Sequence, residues 1–159
     1  KNMDLWTIVI AVLGISAFVV PFVLFNRSKK NHDKGTVITL KEYAAKNNWE
    51  LSDFEVEKKI VLGVDNPNRI AFFLEDIEGK SSNIIHVDLN EISLCRVDRK
   101  TRLVDGDSIT ERIDLVFSPK KKKNEAVVFN LFDENLNQRL LNELAFAKKW
   151  VDIFNRRVK

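Results

Sequence analysis

The hydrophobic pattern divides the chain into an uncharged N-terminal stretch and a longer region in which apolar and polar residues alternate. No charged residue lies between Leu5 and Phe25, and most side chains there are Leu, Ile, Val or Phe. A helix of this length spans about 31 Å, which matches the hydrocarbon core of a bilayer. The stretch is longer than the apolar core of a signal peptide and ends without small residues at a cleavage site. The pattern therefore predicts an uncleaved transmembrane anchor in residues 1–26.

The charges on either side of this stretch predict its orientation. Lys1 is balanced by Asp4 on the N-terminal side, whereas a basic segment follows on the other side. The basic residues of that segment are Arg27, Lys29, Lys30 and Lys34. Because basic flanks stay in the cytoplasm, we expect a single-pass protein of the bacterial inner membrane with its N-terminus outside.

A strip of small side chains runs along the predicted membrane helix and comprises Ala11, Gly14 and Ala17. Small residues let two membrane helices approach closely, so the strip is a candidate surface for packing against another subunit. Its spacing of three differs from the spacing of four in the GxxxG pattern, which makes it a weaker signal than that motif.

Beyond the basic segment, the pattern predicts a short helix followed by strands. Thr39 and Glu42 have the spacing of a capping box, which predicts a helix that ends near Asn47. We interpret residues 27–48 as a basic linker with this helix. Apolar residues then recur at every second position, as in half-buried strands. The alternating sets are Phe54 and Val56; Ile60, Leu62 and Val64; Ile70, Phe72 and Leu74; Ile85, Val87 and Leu89; residues 92–98; Ile113, Leu115 and Phe117; and Val127, Phe129 and Leu131.

Turn-forming residues separate these sets. Residues 65–68 read Asp-Asn-Pro-Asn, Asp105 and Asp107 flank a glycine, and Pro119 precedes four lysines. Such residues favour turns and loops, so the region is predicted to hold six or seven antiparallel strands. The imperfect alternation in residues 92–98 predicts a β-bulge.

Helical spacing returns at the C-terminus. Asp133 is a candidate N-cap, and residues 134–156 are predicted to form an amphipathic helix. Its apolar stripe comprises Leu136, Leu140, Leu144, Ala147, Val151 and Phe154, and it is widened by Leu141, Phe146, Trp150 and Ile153. A stripe this wide needs a partner surface, and we expect the helix to cover the open end of a small barrel. The predicted fold class is α+β, mainly β.

The order of these elements, and several runs within them, resemble bacterial PH-like (pleckstrin-homology-like) domains. The runs are WELSDFEVEKKIVLGVD, RIAFFLED and IIHVDLNEISLCRV. Asp88, Leu89, Glu91 and Ile92 stand where those domains have a DL-x-E-I element that begins a strand. The resemblance implies an antiparallel β-barrel or sandwich capped by a C-terminal helix, and we assign residues 49–159 to it.

The resemblance also bears on function, because PH-like domains are best known as binding modules. Members that bind phosphoinositides cluster basic residues between their first two strands. Here only Lys58 and Lys59 lie there, directly after Glu55 and Glu57. The resemblance therefore implies contact with a protein or with the membrane rather than with a phosphoinositide headgroup.

Composition and charge exclude several function classes. Charged residues make up 31% of the chain and the formal net charge is only +3, so we expect no nucleic-acid partner. The single cysteine, Cys95, cannot form an internal disulfide, as is usual in a reducing compartment. It also has no second cysteine with which to form a zinc site of the usual kind.

The remaining chemical signals favour a protein that is not an enzyme and needs no cofactor or metal. His86 and Asp88 lie on one face of a predicted strand, and such a pair can act as a general base, but a solvated surface pair is the better interpretation. Enzyme activity would require His86 to sit in a cleft with another polar group. Asp105 and Asp107 resemble part of a calcium loop but lack its terminal glutamate, so a solvent loop is favoured.

The lysine run Lys120–Lys123 allows two interpretations. Lysines protect sheet edges from pairing with other chains, so the run is consistent with a solvated hairpin tip. Alternatively, the run contacts anionic lipid together with the basic linker, at about 1 kcal/mol per charge near the surface.

These patterns together predict a membrane-anchored accessory or scaffolding subunit. Its cytoplasmic domain is expected to bind a partner protein within a larger membrane assembly, with the bilayer and other membrane-protein subunits as partners. The alternative is a membrane-surface sensor that binds anionic lipid or a small ligand through its barrel or its basic hairpin.

Overall fold

The computed structural model describes residues 34–77, 81–136 and 142–158. Residues 36–159 form one compact unit, and the description below concerns that unit. The predicted anchor and its strip of small residues (Ala11, Gly14 and Ala17) lie outside the described residues, as do Arg27, Lys29 and Lys30. Among the helices that are described, none is long and apolar enough to cross a membrane.

The described residues contain two α-helices and seven strands. Residues 34–46 are helical and are called α1. The other elements are β1 Asp53–Glu57, β2 Ile60–Asp65, β3 Ile70–Ile77, β4 Ser81–Asp88, β5 Ile92–Val104, β6 Asp107–Pro119, β7 Val127–Asp133 and α2 Glu143–Asn155. Short 3₁₀ turns follow β4 (Leu89–Glu91) and β7 (Glu134–Leu136).

The strands form two antiparallel sheets. The first sheet has the order β1-β2-β3-β4 and the second has the order β5-β6-β7. The predicted α+β, mainly β, class and the predicted number of strands are therefore confirmed. The predicted bulge is also confirmed, because the β5–β6 register shifts between Ile92 and Leu94.

The central strands of the first sheet, β2 and β3, are buried on both faces, and β2 has no exposed residue. One face contributes Leu62, Val64 and Phe73 to the main hydrophobic core. The other face belongs to a second cluster in which Phe72 and Leu74 pack with Leu40 of α1. Helix α1 therefore covers the face of the first sheet that does not face the main core.

The prediction that this helix begins after Thr39 is wrong, because residues 34–38 are already helical. Thr39 is an exposed residue inside the helix. Its spacing to Glu42 matched a capping box, but the apolar face of the helix starts earlier, at the buried Val37. The predicted end of the helix is confirmed, since residues 47–48 form the turn that follows it.

The main core fills the space between the two sheets and α2. Phe117 and Phe129 of the second sheet contact Phe154 of α2, with ring centroids 5.4 and 6.5 Å away. Trp150 is 2% exposed, and its indole N–H donates a 3.0 Å hydrogen bond to Glu55 on β1. Helix α2 is thus held both by aromatic packing and by polar contacts to the first sheet.

The C-terminal helix differs in part from its prediction. The described α-helix begins at Glu143, and Asp133 leads into a 3₁₀ turn instead of capping a helix at residue 134. Leu136 is 59% exposed and does not belong to the buried stripe. Leu140 lies outside the described residues. The buried stripe is centred on Phe146, Ala147, Trp150 and Phe154.

Strands β5 and β6 extend well beyond their predicted limits. Each has 13 residues, and they form a hairpin that turns at Asp105 and Gly106. Both turn residues have positive φ (51° and 90°). A two-residue hairpin turn needs such angles when its own twist matches the right-handed twist of the strands that it joins. The predicted loop is therefore a tight turn at the end of a long ribbon.

Candidate functional site

An open groove of about 560 Å³ lies where β3, β4 and β5 meet the loop before β7. Its apolar lining residues are buried or half-buried and form its base; they are Ile70, Val87, Ile92, Pro119 and Val127. Its polar and aromatic lining residues are mostly exposed and form its rim; they are Trp49, Asn68, His86, Asp88, Glu91, Asn124 and Glu125. We call this feature the acidic groove.

Trp49 is brought to the groove by the way α1 ends. The Asn48 N–H donates to the Ala45 carbonyl (3.1 Å), and the Trp49 N–H donates to the Ala44 carbonyl (2.9 Å). Asn48 has a φ of 59°. These bonds and this left-handed residue form a Schellman motif, which reverses the chain at the end of a helix. The reversal fixes the position of Trp49, the first residue after the turn that ends α1.

A buried carboxyl group links the segment that follows Trp49 to the turn after β2. Asp65 is 0% exposed. One of its oxygens accepts from the Glu50 N–H (2.8 Å) and from the Asn68 side-chain amide (2.7 Å), and the other accepts from the Asn68 N–H (2.8 Å). The turn predicted at residues 65–68 is thus confirmed. Asp65 also joins the segment after Trp49 to Asn68, which lines the groove.

An aromatic cluster forms the next part of the rim. His86 points away from the main core, as the alternation of β4 predicts, and its Nδ1 lies 2.8 Å from the Tyr43 hydroxyl on α1. The Trp49 ring lies 4.8 Å from the His86 ring and 5.9 Å from that of Phe72. The second apolar cluster, which contains Phe72, therefore packs against the aromatic residues of the groove's rim.

The opposite rim is built by the 3₁₀ turn after β4 and the loop after β6. Asp88 caps that turn by accepting from the Asn90 N–H at 2.9 Å. The Lys120 N–H donates to the Glu91 carbonyl (2.9 Å), and its ammonium group donates to the Asn90 carbonyl (2.6 Å). These bonds hold the lysine loop against the turn, and Asn124 and Glu125 of that loop line the groove.

The charge of the rim is of one sign. Asp88, Glu91 and Glu125 line the groove, and no lysine or arginine is among the lining residues that the structure describes. The Lys121 ammonium lies 4.0 Å from Glu91, but both side chains are more than half exposed, so their attraction is weakened by water. The chain as a whole carries a formal net charge of +3, so the groove differs in sign from the rest.

The lysines predicted to contact lipid do not form one uniform group. Lys34 is exposed, and so are all four residues of Lys120–Lys123. Lys120 and Lys121 interact with the turn after β4, as described above. Within the described part of the chain, Lys122 and Lys123 have no ion-pair or hydrogen-bond partner and remain available to a ligand.

The loop between β1 and β2, which holds Lys58 and Lys59, is a two-residue turn. Lys58 is its left-handed residue, with a φ of 54°, and its ammonium pairs with the buried Glu143 of α2. Lys58 therefore ties β1 and β2 to the C-terminal helix.

His86 and Asp88 are both exposed, as predicted for a surface pair, but they interact with different partners. His86 contacts Tyr43 and Asp88 contacts Asn90. His86 does lie in a groove with other polar groups, which the enzyme interpretation required. The described lining contains no serine, threonine or cysteine to act as a nucleophile beside it. That the chain is not an enzyme stays a prediction.

The other chemical candidates are structural. Cys95 is buried, and burial raises the pKa of its thiol from 9.0 to about 12. Asp105 lies in the β5–β6 hairpin turn, and Asp107 is the first residue of β6. In the three described ranges, no group of three His, Cys, Asp or Glu side chains is placed to hold a metal ion.

Comparison of the chain with protein-family models, with curated proteins and with solved structures gave no match. The groove was not predicted from the sequence, because its lining residues come from five separate segments. Trp49 and Glu125 were not recognised as candidate residues. The one local signal was Asn47-Asn48 before Trp49, since asparagine favours the left-handed position that ends a helix.

Proposed function

We propose that this chain is a single-pass accessory or scaffolding subunit whose PH-like domain binds a partner protein within a larger membrane assembly. The observation that carries the proposal is an open groove with an apolar base and a charged rim on a unit with its own core. Such a surface suits recognition of another molecule, because apolar contact supplies affinity and the polar groups supply specificity.

The PH-like assignment is supported by the order of the elements. Four antiparallel strands, three further antiparallel strands and a helix packed into the core follow one another along the chain. Helix α1 is an addition to that order. The short, paired turn at Lys58 supports a protein partner over a phosphoinositide, because its ammonium group is already bound to Glu143.

The membrane location is supported by the sequence. The uncharged stretch from Leu5 to Phe25 is long enough to span a bilayer, and the basic residues after it favour a cytoplasmic domain. An anchored domain meets its partner at a high effective concentration, so even a shallow groove can give stable association.

The test is purification of the full chain from membranes in a mild, uncharged detergent. We expect at least one membrane protein to co-purify in a fixed ratio and to be identified by mass spectrometry. A chain that runs as a lone monomer, with no co-purifying protein under several detergent conditions, would contradict the proposal.

A membrane-surface sensor is the second candidate, and it is favoured by Lys122 and Lys123, whose side chains have no partner among the residues that the structure describes. Flotation of residues 36–159 with vesicles containing phosphatidylglycerol tests it, and that fragment is a compact unit with its own core. Lys122→Gln with Lys123→Gln should abolish flotation if the loop binds lipid. This pair is a sharper test than all four lysines, since Lys120 and Lys121 also hold the loop in place.

A further inference from the structure

We infer that the acidic groove is the docking site for a basic, partly apolar segment of the partner protein, in which an arginine or lysine lies next to aliphatic side chains. This inference rests on the proposed function and names the surface and the chemistry of the partner. It follows from the charge of the rim, the aromatic and apolar lining, and the way the groove is held open.

The charge of the rim selects a cation. Asp88, Glu91 and Glu125 formally carry three negative charges at neutral pH, and no basic residue lies among the described lining. Within the described residues, the Glu125 carboxyl has no hydrogen-bond or ion-pair partner. A partner's guanidinium or ammonium group would supply one, and guanidinium groups pair with carboxylates through two parallel hydrogen bonds.

The remaining lining fits the rest of such a segment. Trp49 offers an indole ring, and a cation over the face of such a ring is attracted by the negative charge of its π-system. Ile70, Val87, Ile92 and Val127 provide an apolar base against which aliphatic side chains lose contact with water. A segment that alternates basic and aliphatic residues presents both groups within a few residues.

The groove is formed before a ligand arrives. Asp65 fixes the segment after Trp49 relative to Asn68, and Lys120 fixes the lysine loop to the turn after β4. Tyr43 holds the ring of His86. Because the walls are already ordered, little conformational entropy is lost when a ligand binds.

An anionic headgroup fits the same groove poorly, since it would meet three carboxyl groups and no cation of the lining. Lipid contact, if it occurs, therefore uses Lys122 and Lys123 and not the groove. Substitutions of the rim glutamates separate the two ligands.

The test uses the full chain in uncharged detergent and a fluorescein-labelled eight-residue peptide of alternating Arg and Leu, followed by anisotropy. The matched peptide carries citrulline in place of each arginine, which keeps the shape and removes the charge. Empty micelles correct for partition into detergent. We expect the arginine peptide to bind at least about tenfold more tightly and to weaken as salt rises from 50 to 300 mM, because salt screens exposed charges.

Two variants place the binding in the groove. Glu91→Gln with Glu125→Gln should weaken the arginine peptide about tenfold, since each exposed charge pair contributes up to about 1 kcal/mol. Glu42→Gln is the matched control, because Glu42 is exposed on α1 and does not line the groove. Both rim glutamates are exposed, so near-UV circular dichroism should remain that of the folded wild type.

Several results would overturn the inference. They are equal binding of the two peptides, an equal effect of the rim and control variants, binding of free arginine as tight as that of the peptide, or binding of phosphatidylglycerol vesicles that is lost in the rim variant. Retention of the same co-purifying membrane protein by the rim variant would also overturn it, while leaving the proposed function intact. A wild-type chain without a co-purifying protein would instead contradict the proposed function.

Discussion

Replacement of Asp65 by alanine should destabilise the whole compact unit, although Asp65 lies in a turn. Its carboxyl group is fully buried and accepts three hydrogen bonds, from the Glu50 N–H, the Asn68 N–H and the Asn68 side-chain amide. Alanine removes both acceptors and leaves three donors without them. The change acts on one turn, but that turn joins β2, β3 and the segment after α1.

The size of the effect follows from the number of bonds. Each hydrogen bond contributes about 1 kcal/mol net, so Asp65→Ala should lower the free energy of unfolding by about 3 kcal/mol. For a unit of this size, that corresponds to a fall in melting temperature of about 9–15 °C. Asp65→Asn should cost about 2 kcal/mol, because one amide oxygen remains but its N–H₂ faces a donor.

The assay is urea unfolding of the full chain in uncharged detergent, followed by near-UV circular dichroism of the core aromatic residues. The matched control is Asp105→Asn, since Asp105 is exposed and has a φ of 51°, a conformation that asparagine accepts readily. We expect the control to unfold within about 0.5 kcal/mol of the wild type. If Asp65→Ala stays within that same range, the reasoning from buried acceptors is refuted.

Three further predictions concern the core. The chain has a single cysteine, and burial raises the pKa of the Cys95 thiol to about 12. A maleimide at pH 8 should therefore modify the native chain at least about hundredfold more slowly than the urea-unfolded chain. The contribution of the buried neutral thiol to the free energy of unfolding is complete below the unfolded pKa of 9.0 and is lost as the pH rises towards about 12. Cys95→Val should therefore flatten the pH dependence of the free energy of unfolding between these two values. An unchanged profile would contradict the raised pKa. The side chain of Asn155 accepts from the Cys95 N–H (2.9 Å) and donates to the Cys95 carbonyl (2.8 Å). Asn155→Asp sets a carboxylate against that carbonyl, so it should lower the free energy of unfolding by about 1–3 kcal/mol at pH 7. The loss should be smaller at pH 4, where a protonated carboxyl can donate again. Equal losses for Asn155→Asp at the two pH values, each measured against wild type, would count against this bonding scheme.

The strands of the two sheets were predictable because their side chains alternate between core and solvent or between two cores. Ile113, Leu115 and Phe117 are all buried in the main core, at the alternating positions that the sequence indicates. The outer halves of β5 and β6 were missed for the complementary reason. Residues 99–104 are exposed on both faces, so burial imposes no pattern on them, and backbone pairing with β6 holds them.

The sequence also indicates that α1 covers the first sheet, although the alternation of apolar residues in the strands draws attention away from this indication. Ile60–Val64 and Ala71–Leu74 are continuous apolar runs, and such runs are typical of strands that are buried on both faces. Because β2 and β3 are the central strands of the first sheet, their outer face needed a cover from elsewhere in the chain. The nearest apolar helical face, at Val37, Leu40 and Ala44, supplies it.

The groove could not be predicted from the sequence, because its parts serve folding separately and meet only in three dimensions. Ile70, Val87 and Ile92 are buried as part of the two apolar clusters. Asp88 caps a turn, and that turn is held by the Lys120 backbone and ammonium. Folding therefore explains the base and most of the frame.

The three acidic residues of the rim differ in what folding asks of them. Asp88 caps the turn after β4, and Glu91 lies 4.0 Å from the Lys121 ammonium. Glu125 lies beside a run of four lysines and yet has no partner among the described residues. An exposed carboxyl group without a partner contributes little to stability, so Glu125→Gln should leave the free energy of unfolding within about 0.5 kcal/mol of the wild type. The same substitution should weaken the binding of the basic segment inferred above, and an unchanged affinity would count against that inference.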